Sequence, residues 1–99
     1  MTNEVSAVRI VVHGRVQGVG YRAWAHHQAE LHGLAGWVRN RQDGSVEAVI
    51  RGPSDLVAVM LKTLHDGPQH AEVERIDEEP IRPDTAGVEP GKFIVRDSV

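Results

Sequence analysis

The residues of this chain best suited to chemistry lie in one short segment, residues 13–22, which reads HGRVQGVGYR. It holds three glycines and two arginines and follows an apolar run, VRIVV, that is typical of a strand. Glycine accepts a positive φ, so a turn of this kind can curl several backbone N–H groups around one anion. Arg22 stands where a helix is expected to begin, and its planar guanidinium matches phosphate oxygens. The segment therefore suggests an anion-binding loop.

Two familiar phosphate loops do not fit this segment. A dinucleotide fingerprint needs a third glycine and an acidic partner within a parallel βαβ unit, and both are missing after Gly20. A Walker loop needs Gly-Lys-Ser/Thr, where this chain has Gly20-Tyr21-Arg22. Two interpretations stay open, a glycine-rich turn without a ligand and an anion cradle beside Arg22. The cradle would consist of the backbone N–H groups of Arg15, Val16, Gln17, Gly18, Val19 and Gly20.

The elements that must position this loop can be read from turn signals and apolar periodicity. The pattern predicts strands over 7–13, 34–40, 45–52 and 71–79, helices over 21–32 and 54–66, and a short last strand in KFIVR. Asp43-Gly44 suits a tight hairpin turn, and Ser54 is expected to cap the second helix. The order βαββαβ closes most simply as a ferredoxin-like α/β sandwich of the α+β class, an antiparallel sheet with both helices on one face.

Composition narrows the class of protein. A chain of 99 residues predicts one domain over 1–99, with a polar tail over 1–6. Zero cysteines exclude disulfides and thiolate catalysis, and a net charge of −3 argues against broad nucleic-acid binding. No apolar stretch approaches the roughly eighteen residues of a membrane span, and no signal peptide is evident, so we expect a cytoplasmic protein without a membrane partner.

Histidines near the first helix raise the question of a metal site. His26 and His27 precede Glu30, but no two of the six histidines stand four residues apart on a helix, and no carboxylate pair completes a binding shell. We interpret this group as a solvated helix face and expect neither a metal nor a cofactor. His13, at the mouth of the loop, could contact a substrate, although a histidine at the end of a strand is more often structural.

A second segment, residues 36–52, helps to decide between a turn without a ligand and an anion cradle. It reads GWVRNRQDGSVEAVIRG, and Asn40 on its own would be interpreted as a turn residue beside a hairpin. Together the two segments resemble the paired signatures of the acylphosphatase family. The first signature is glycine-x-valine-glutamine-glycine leading to an arginine, and the second is glycine-aromatic-x-x-asparagine followed by glycine-x-valine and a later glycine. One departure is Tyr21, where family members more often carry Phe.

The resemblance implies an enzyme that hydrolyses the carboxyl-phosphate anhydride of small acyl phosphates to a carboxylate and inorganic phosphate without a metal. It also implies that Arg22 binds the phosphoryl group and that Asn40 positions the attacking water. The residue types suit this chemistry, because a carboxylate leaving group needs no strong general acid and phosphoryl transfer is helped by donors around the equatorial oxygens.

One alternative of another class is an RNA-binding module of the same fold. Such a module stacks bases on exposed sheet aromatics, whereas this chain has one Tyr, one Phe and an acidic balance. We therefore expect a small-molecule partner, no nucleic acid, and a chain that works alone as a monomer.

Overall fold

The computed structural model describes residues 4–85 and 87–99, and each predicted element is present in it. The elements are β1 Val5–Arg15, α1 Tyr21–Leu31, β2 Ala35–Asn40, β3 Val46–Pro53, α2 Ser54–Asp66, β4 Glu72–Ile81, a 3-10 turn Pro83–Thr85 and β5 Phe93–Val95. β1 begins two residues earlier than predicted because Val5 and Ser6 pair with the end of β3. Of the predicted polar tail, residues 1–3 lie outside the described residues.

The strands form one five-stranded sheet in the order β4-β1-β3-β2-β5. β1 is antiparallel to both β3 and β4, and β2 is antiparallel to β3, as predicted for a ferredoxin-like fold. β5 differs from the predicted antiparallel arrangement, since it pairs parallel to β2 with Val95 opposite Val38. The sheet is therefore mixed, and the chain crosses from one edge strand, β4, to the other, β5.

Both helices pack against one face of the sheet, as predicted. Alternate strand residues such as Val8, Ile10 and Val12 of β1 point to this face and are buried with the apolar stripe of α2. On α1 the small residues Ala25 and Ala29 are buried, which lets the helix approach the sheet closely. Burying each large aliphatic side chain contributes about 1.5–3 kcal/mol, so this layer supplies most of the stability.

The opposite face of the sheet carries a smaller apolar cluster bounded by charges. Trp37 belongs to this cluster and is only 8% exposed. The guanidinium groups of Arg39 and Arg96 lie 4.8 and 4.6 Å from its ring. Glu47 is buried beside it and accepts hydrogen bonds of 2.7 Å from Nε of Arg9 and from Nε of Arg39.

The predicted cap of α2 is wrong by one residue. The helix begins at Ser54, and Pro53 occupies the cap position without a side-chain hydrogen bond. Ser54 is instead tied to β1, because its backbone N–H donates to the carbonyl oxygen of Glu4 at 3.0 Å and its hydroxyl lies against that of Ser6. No helix in the described ranges is long and apolar enough to cross a membrane.

Candidate active site

Residues 16–20 connect β1 to α1 and form the loop predicted to bind an anion. Gly18 and Gly20 have φ values of 74° and 78°, a left-handed conformation that side chains with a Cβ rarely adopt. Gly20 directly precedes α1, whose first turn has no side-chain cap. Within the described chain, the backbone N–H groups of residues 16–20 donate no backbone hydrogen bond. The loop and the helix N-terminus therefore offer a set of free donors.

A cavity of about 280 Å³ lies beside this loop and contains both side chains on which the prediction depends. Arg22 enters it from the first turn of α1, and Asn40 enters it from the last residue of β2. The structure thus brings together groups that are separated by a helix and a strand in the sequence. The complete lining is Val16, Gln17, Gly18, Gly20, Tyr21, Arg22, Ala23, Asn40 and Val95.

Neither Arg22 nor the Oδ1 atom of Asn40 has a hydrogen-bond partner within the described part of the chain. The Oδ1 atom of Asn40 is buried and finds no hydrogen-bond partner in the described part of the chain. Arg22 is half-buried and makes no hydrogen bond or ion pair with residues 4–85 or 87–99. Buried polar atoms are nearly always satisfied in native proteins, so an orphan facing a cavity indicates a ligand-binding position.

Two of the predicted cradle residues lie apart from the others. Arg15 is the last residue of β1, pairs with Glu72 of β4 and is exposed. The side chain of Val19 packs against the core. Neither is among the residues that line the cavity, whereas Val16, Gln17, Gly18 and Gly20 are. The donation of N–H groups to a phosphate stays a prediction for all six.

The side chain of Gln17 has a role that sequence reasoning missed. Its amide nitrogen donates to the backbone carbonyl oxygens of Arg41 and Ser45, at 2.8 and 2.9 Å. These carbonyls belong to the hairpin that begins directly after Asn40. Gln17 therefore joins the loop to the strand end that carries the carboxamide. The contact spans more than twenty residues of sequence, and only the motif itself could have indicated it.

The hairpin that Gln17 contacts is stabilised by hydrogen bonds of its own. The Asp43-Gly44 turn is present as predicted, and Gly44 donates to the carbonyl oxygen of Arg41 at 3.2 Å. The carboxylate of Asp43 accepts from the hydroxyl and the backbone N–H of Ser45, and these two bonds lower the pKa of Asp43. The strand end bearing Asn40 is thus fixed on both sides.

Tyr21 anchors the start of α1 from beneath the cavity. Its hydroxyl donates to the carbonyl oxygen of Leu64 at 2.8 Å, and its ring lies 5.4 Å from that of Trp24. Leu64 is in the last turn of α2, where carbonyls lack helical partners. Burial raises the pKa of Tyr21. The Tyr21 hydroxyl therefore links the start of α1 to the end of α2.

The histidines singled out in the sequence lie away from the cavity. His26 has its Nε2 atom 3.6 Å from a carboxylate oxygen of Glu30 one turn further on, and His27 is exposed. His13 pairs with Asp77 of β4 at 3.0 Å and does not line the cavity. These pairs agree with the structural interpretation given to them.

Fold and site together define a small α+β sandwich with a cavity beside its first loop, lined by Arg22 and Asn40. Residues 8–90 match the model of the Acylphosphatase family. An acylphosphatase of Azorhizobium caulinodans is 61% identical over 71 residues, which cover 72% of this chain and 76% of that protein. An acylphosphatase of Mesorhizobium japonicum is 46% identical over 93 residues, covering 94% and 96%.

Solved structures give the same result. The crystal structure of acylphosphatase from Bacillus subtilis superposes with a TM-score of 0.84 at 33% identity, covering 94% of this chain and 99% of that one. The chain therefore belongs to the acylphosphatase family of hydrolases, which confirms the resemblance seen in its two motifs.

Proposed function

We propose that this acylphosphatase binds the phosphoryl group of a small acyl phosphate in the 280 Å³ cavity and hydrolyses it with Arg22 and Asn40. One observation carries the proposal. A guanidinium and a carboxamide from separate elements line the same cavity, and neither has a partner within the described chain. The fold therefore holds both groups in place without using their hydrogen-bonding capacity.

Phosphoryl binding is assigned to the loop and to Arg22. In this proposal the N–H groups of residues 15–20 and the N-terminus of α1 surround the phosphoryl oxygens. Val16, Gln17, Gly18 and Gly20 line the cavity, whereas Arg15 and Val19 do not. Arg22 adds two parallel donors from one planar guanidinium, a geometry that matches two phosphoryl oxygens. In the loose transition state the charge is spread over the equatorial oxygens, so donors already in place around them stabilise it.

Asn40 is assigned to the attacking water. A neutral amide cannot take a proton, but its Oδ1 atom can accept a hydrogen bond from water and orient that water in line with the leaving oxygen. The water oxygen bonds to phosphorus as the bond from phosphorus to the acyl oxygen breaks. The electron pair leaves with the carboxylate, and the proton of the water passes to a phosphate oxygen.

The chain's own donors supply the positive charge that this reaction needs, so we propose that it proceeds without a metal. We also propose that the protein is a cytoplasmic monomer.

We further propose that it binds no nucleic acid. The net charge of −3 and the burial of the sheet aromatics both argue against nucleic-acid binding. Trp37 and Phe93 are 8% and 7% exposed, which leaves no stacking platform for bases on these residues.

The test compares an aromatic acyl phosphate with the corresponding aryl phosphate ester in the presence of a chelator. We expect the anhydride to be hydrolysed to carboxylate and phosphate and the ester to persist. Arg22→Ala and Arg22→Lys should each lower kcat/KM by about 100-fold or more, because the bidentate contact is lost. Arg75→Ala, an exposed arginine on β4, is the matched control and should leave the rate unchanged.

Three results would overturn the proposal. Hydrolysis of the ester but not of the anhydride would change the substrate class. Loss of activity on chelation would require a metal. Full activity in Arg22→Ala would remove the phosphoryl-binding role.

A further inference from the structure

Two exposed apolar side chains, Ala23 and Val95, line the active-site cavity alongside its polar groups. Ala23 follows Arg22 on α1. Val95 comes from β5 and lies opposite Val38 of β2. Asn40 is two residues beyond Val38 on β2, so the side chains of Asn40 and Val95 project from the same face of the sheet. Val95 is 44% exposed, although it is a valine within a strand.

The charge of the cavity is concentrated at one point. Among the described residues that line it, Arg22 is the only charged one. In the proposed function this guanidinium is occupied by the phosphoryl group. The rest of a bound substrate would therefore meet backbone, amides and the two apolar side chains, with no cation left to pair with a second anionic group.

The size of the cavity leaves room for more than the phosphoryl group. A volume of about 280 Å³ is at the lower end of the range for pockets that bind small organic molecules. The other apolar lining residues, Val16 and Tyr21, are 1% and 2% exposed and belong to the core beneath the surface. An acyl group extending from the phosphoryl towards solvent would therefore pass between Ala23 and Val95.

We propose that Ala23 and Val95 form an acyl subsite that favours uncharged apolar acyl groups over acyl groups bearing a second carboxylate. The inference rests on the proposed function and adds a specificity-determining residue, Val95, to it. An apolar acyl group gains by leaving water against these side chains. A second carboxylate would lose hydration there without acquiring a partner.

Val95→Thr is the variant that tests the subsite. Threonine keeps the shape and strand preference of valine and replaces one methyl group by a hydroxyl. The control is Val59→Thr, because Val59 is 45% exposed on α2 and does not line the cavity. The probes are benzoyl phosphate, succinyl phosphate as the substrate with a second carboxylate, and inorganic phosphate as a competitive inhibitor.

We expect Val95→Thr to lower kcat/KM for benzoyl phosphate by about three- to tenfold, mainly through KM, since removing one apolar group from a closed pocket costs tenfold or more and this one is half open. The value for succinyl phosphate should stay within twofold, as should inhibition by inorganic phosphate. Val95→Leu should raise the ratio of kcat/KM for benzoyl phosphate to kcat/KM for succinyl phosphate, which Val95→Thr should lower. This variant also provides a test if the threonine variant folds poorly.

An unchanged substrate ratio in both Val95 variants, or an equal change in Val59→Thr, would overturn the subsite. The two proposals fail in different ways. If Arg22→Ala abolishes turnover and phosphate competes with substrate while the Val95 variants leave the ratio unmoved, only the subsite is wrong. If Arg22→Ala retains full turnover, the proposed function is wrong and the subsite falls with it.

Discussion

The side-chain amide of Gln17 and the backbone carbonyl of Arg41 are joined by a hydrogen bond of 2.8 Å that ties the two halves of the candidate active site together. Gln17 belongs to the loop whose backbone N–H groups are free. Arg41 directly follows Asn40. The separation between the loop N–H groups and the Asn40 carboxamide is therefore set by this local contact as well as by the sheet.

Replacing Gln17 with Met should lower kcat more than it weakens phosphate inhibition. Methionine has a similar length but no donor, so the carbonyls of Arg41 and Ser45 lose a partner and Asn40 shifts relative to the loop. Small misplacements of this kind are costly, and we expect kcat to fall about tenfold. Steady-state kinetics with an acyl phosphate checks this, with the exposed Gln69→Met as control. If phosphate inhibition disappears while kcat is retained, Gln17 contacts the ligand itself.

Asn40→Ala should separate binding from turnover. Removing the amide takes away the group proposed to orient water, and kcat should fall by about two to three orders of magnitude, as it does when one positioned polar group is lost from an active site. Phosphate should still inhibit, because Arg22 and the loop are intact. Kinetics and phosphate titration on one preparation give both values, with the exposed Gln42→Ala as control. Loss of phosphate binding would make Asn40 a structural residue.

Tyr21→Phe should destabilise the fold at neutral pH by about 1 kcal/mol, because the buried carbonyl of Leu64 loses its donor. Burial raises the pKa of Tyr21, so the neutral phenol stabilises the native state below the unfolded pKa, about 10. That stabilisation is lost as pH rises through the native pKa. Urea unfolding of both proteins at pH 7 and above pH 10 should show the difference shrinking or reversing at high pH. A constant difference would contradict this account.

Glu47→Gln should lower the free energy of unfolding more at neutral pH than at acidic pH. Burial acts to raise the pKa of Glu47, but the hydrogen bonds and charges of Arg39 and Arg9 outweigh it and hold that pKa below its usual range. The ionised group therefore stabilises the fold above the unfolded pKa, about 4.3, and this contribution is lost as pH falls through the lower native value. We expect a loss of about 2 kcal/mol at pH 7 and a smaller one near pH 3.

Urea unfolding at the two pH values tests this prediction. Glu79→Gln, an exposed glutamate on β4, is the control and should change little at either pH. An equal loss at both pH values in Glu47→Gln would show that shape, and not charge, matters at this position.

The order of elements could be predicted because it depends on short-range patterns. Val8, Ile10 and Val12 alternate as a strand must, and the Asp43-Gly44 pair marks its own turn. The cap of α2 could not be predicted, since Ser54 bonds to Glu4 and Ser6, which are 50 and 48 residues earlier in the chain. The direction of β5 depends in the same way on a partner strand that its three residues do not specify.

For the candidate site, the sequence predicts the residues that belong to its two motifs and no others. Arg22 and Asn40 do line one cavity, because the family pattern encodes positions that the fold brings together. The side-chain bonds of Gln17 and the place of Val95 in the wall depend on tertiary geometry, and no local periodicity carries that information.

The parallel pairing of β5 with β2 also orders events during translation. Arg22 and Asn40 leave the ribosome before Val95 does. A nascent chain that has not yet added β5 could already assemble the groups proposed to bind the anion, while one wall of the pocket stays open. In the proposed function, hydrolysis of a bulky acyl phosphate would then require β5 to be in place on β2, so it would report on completed folding more strictly than phosphate binding does.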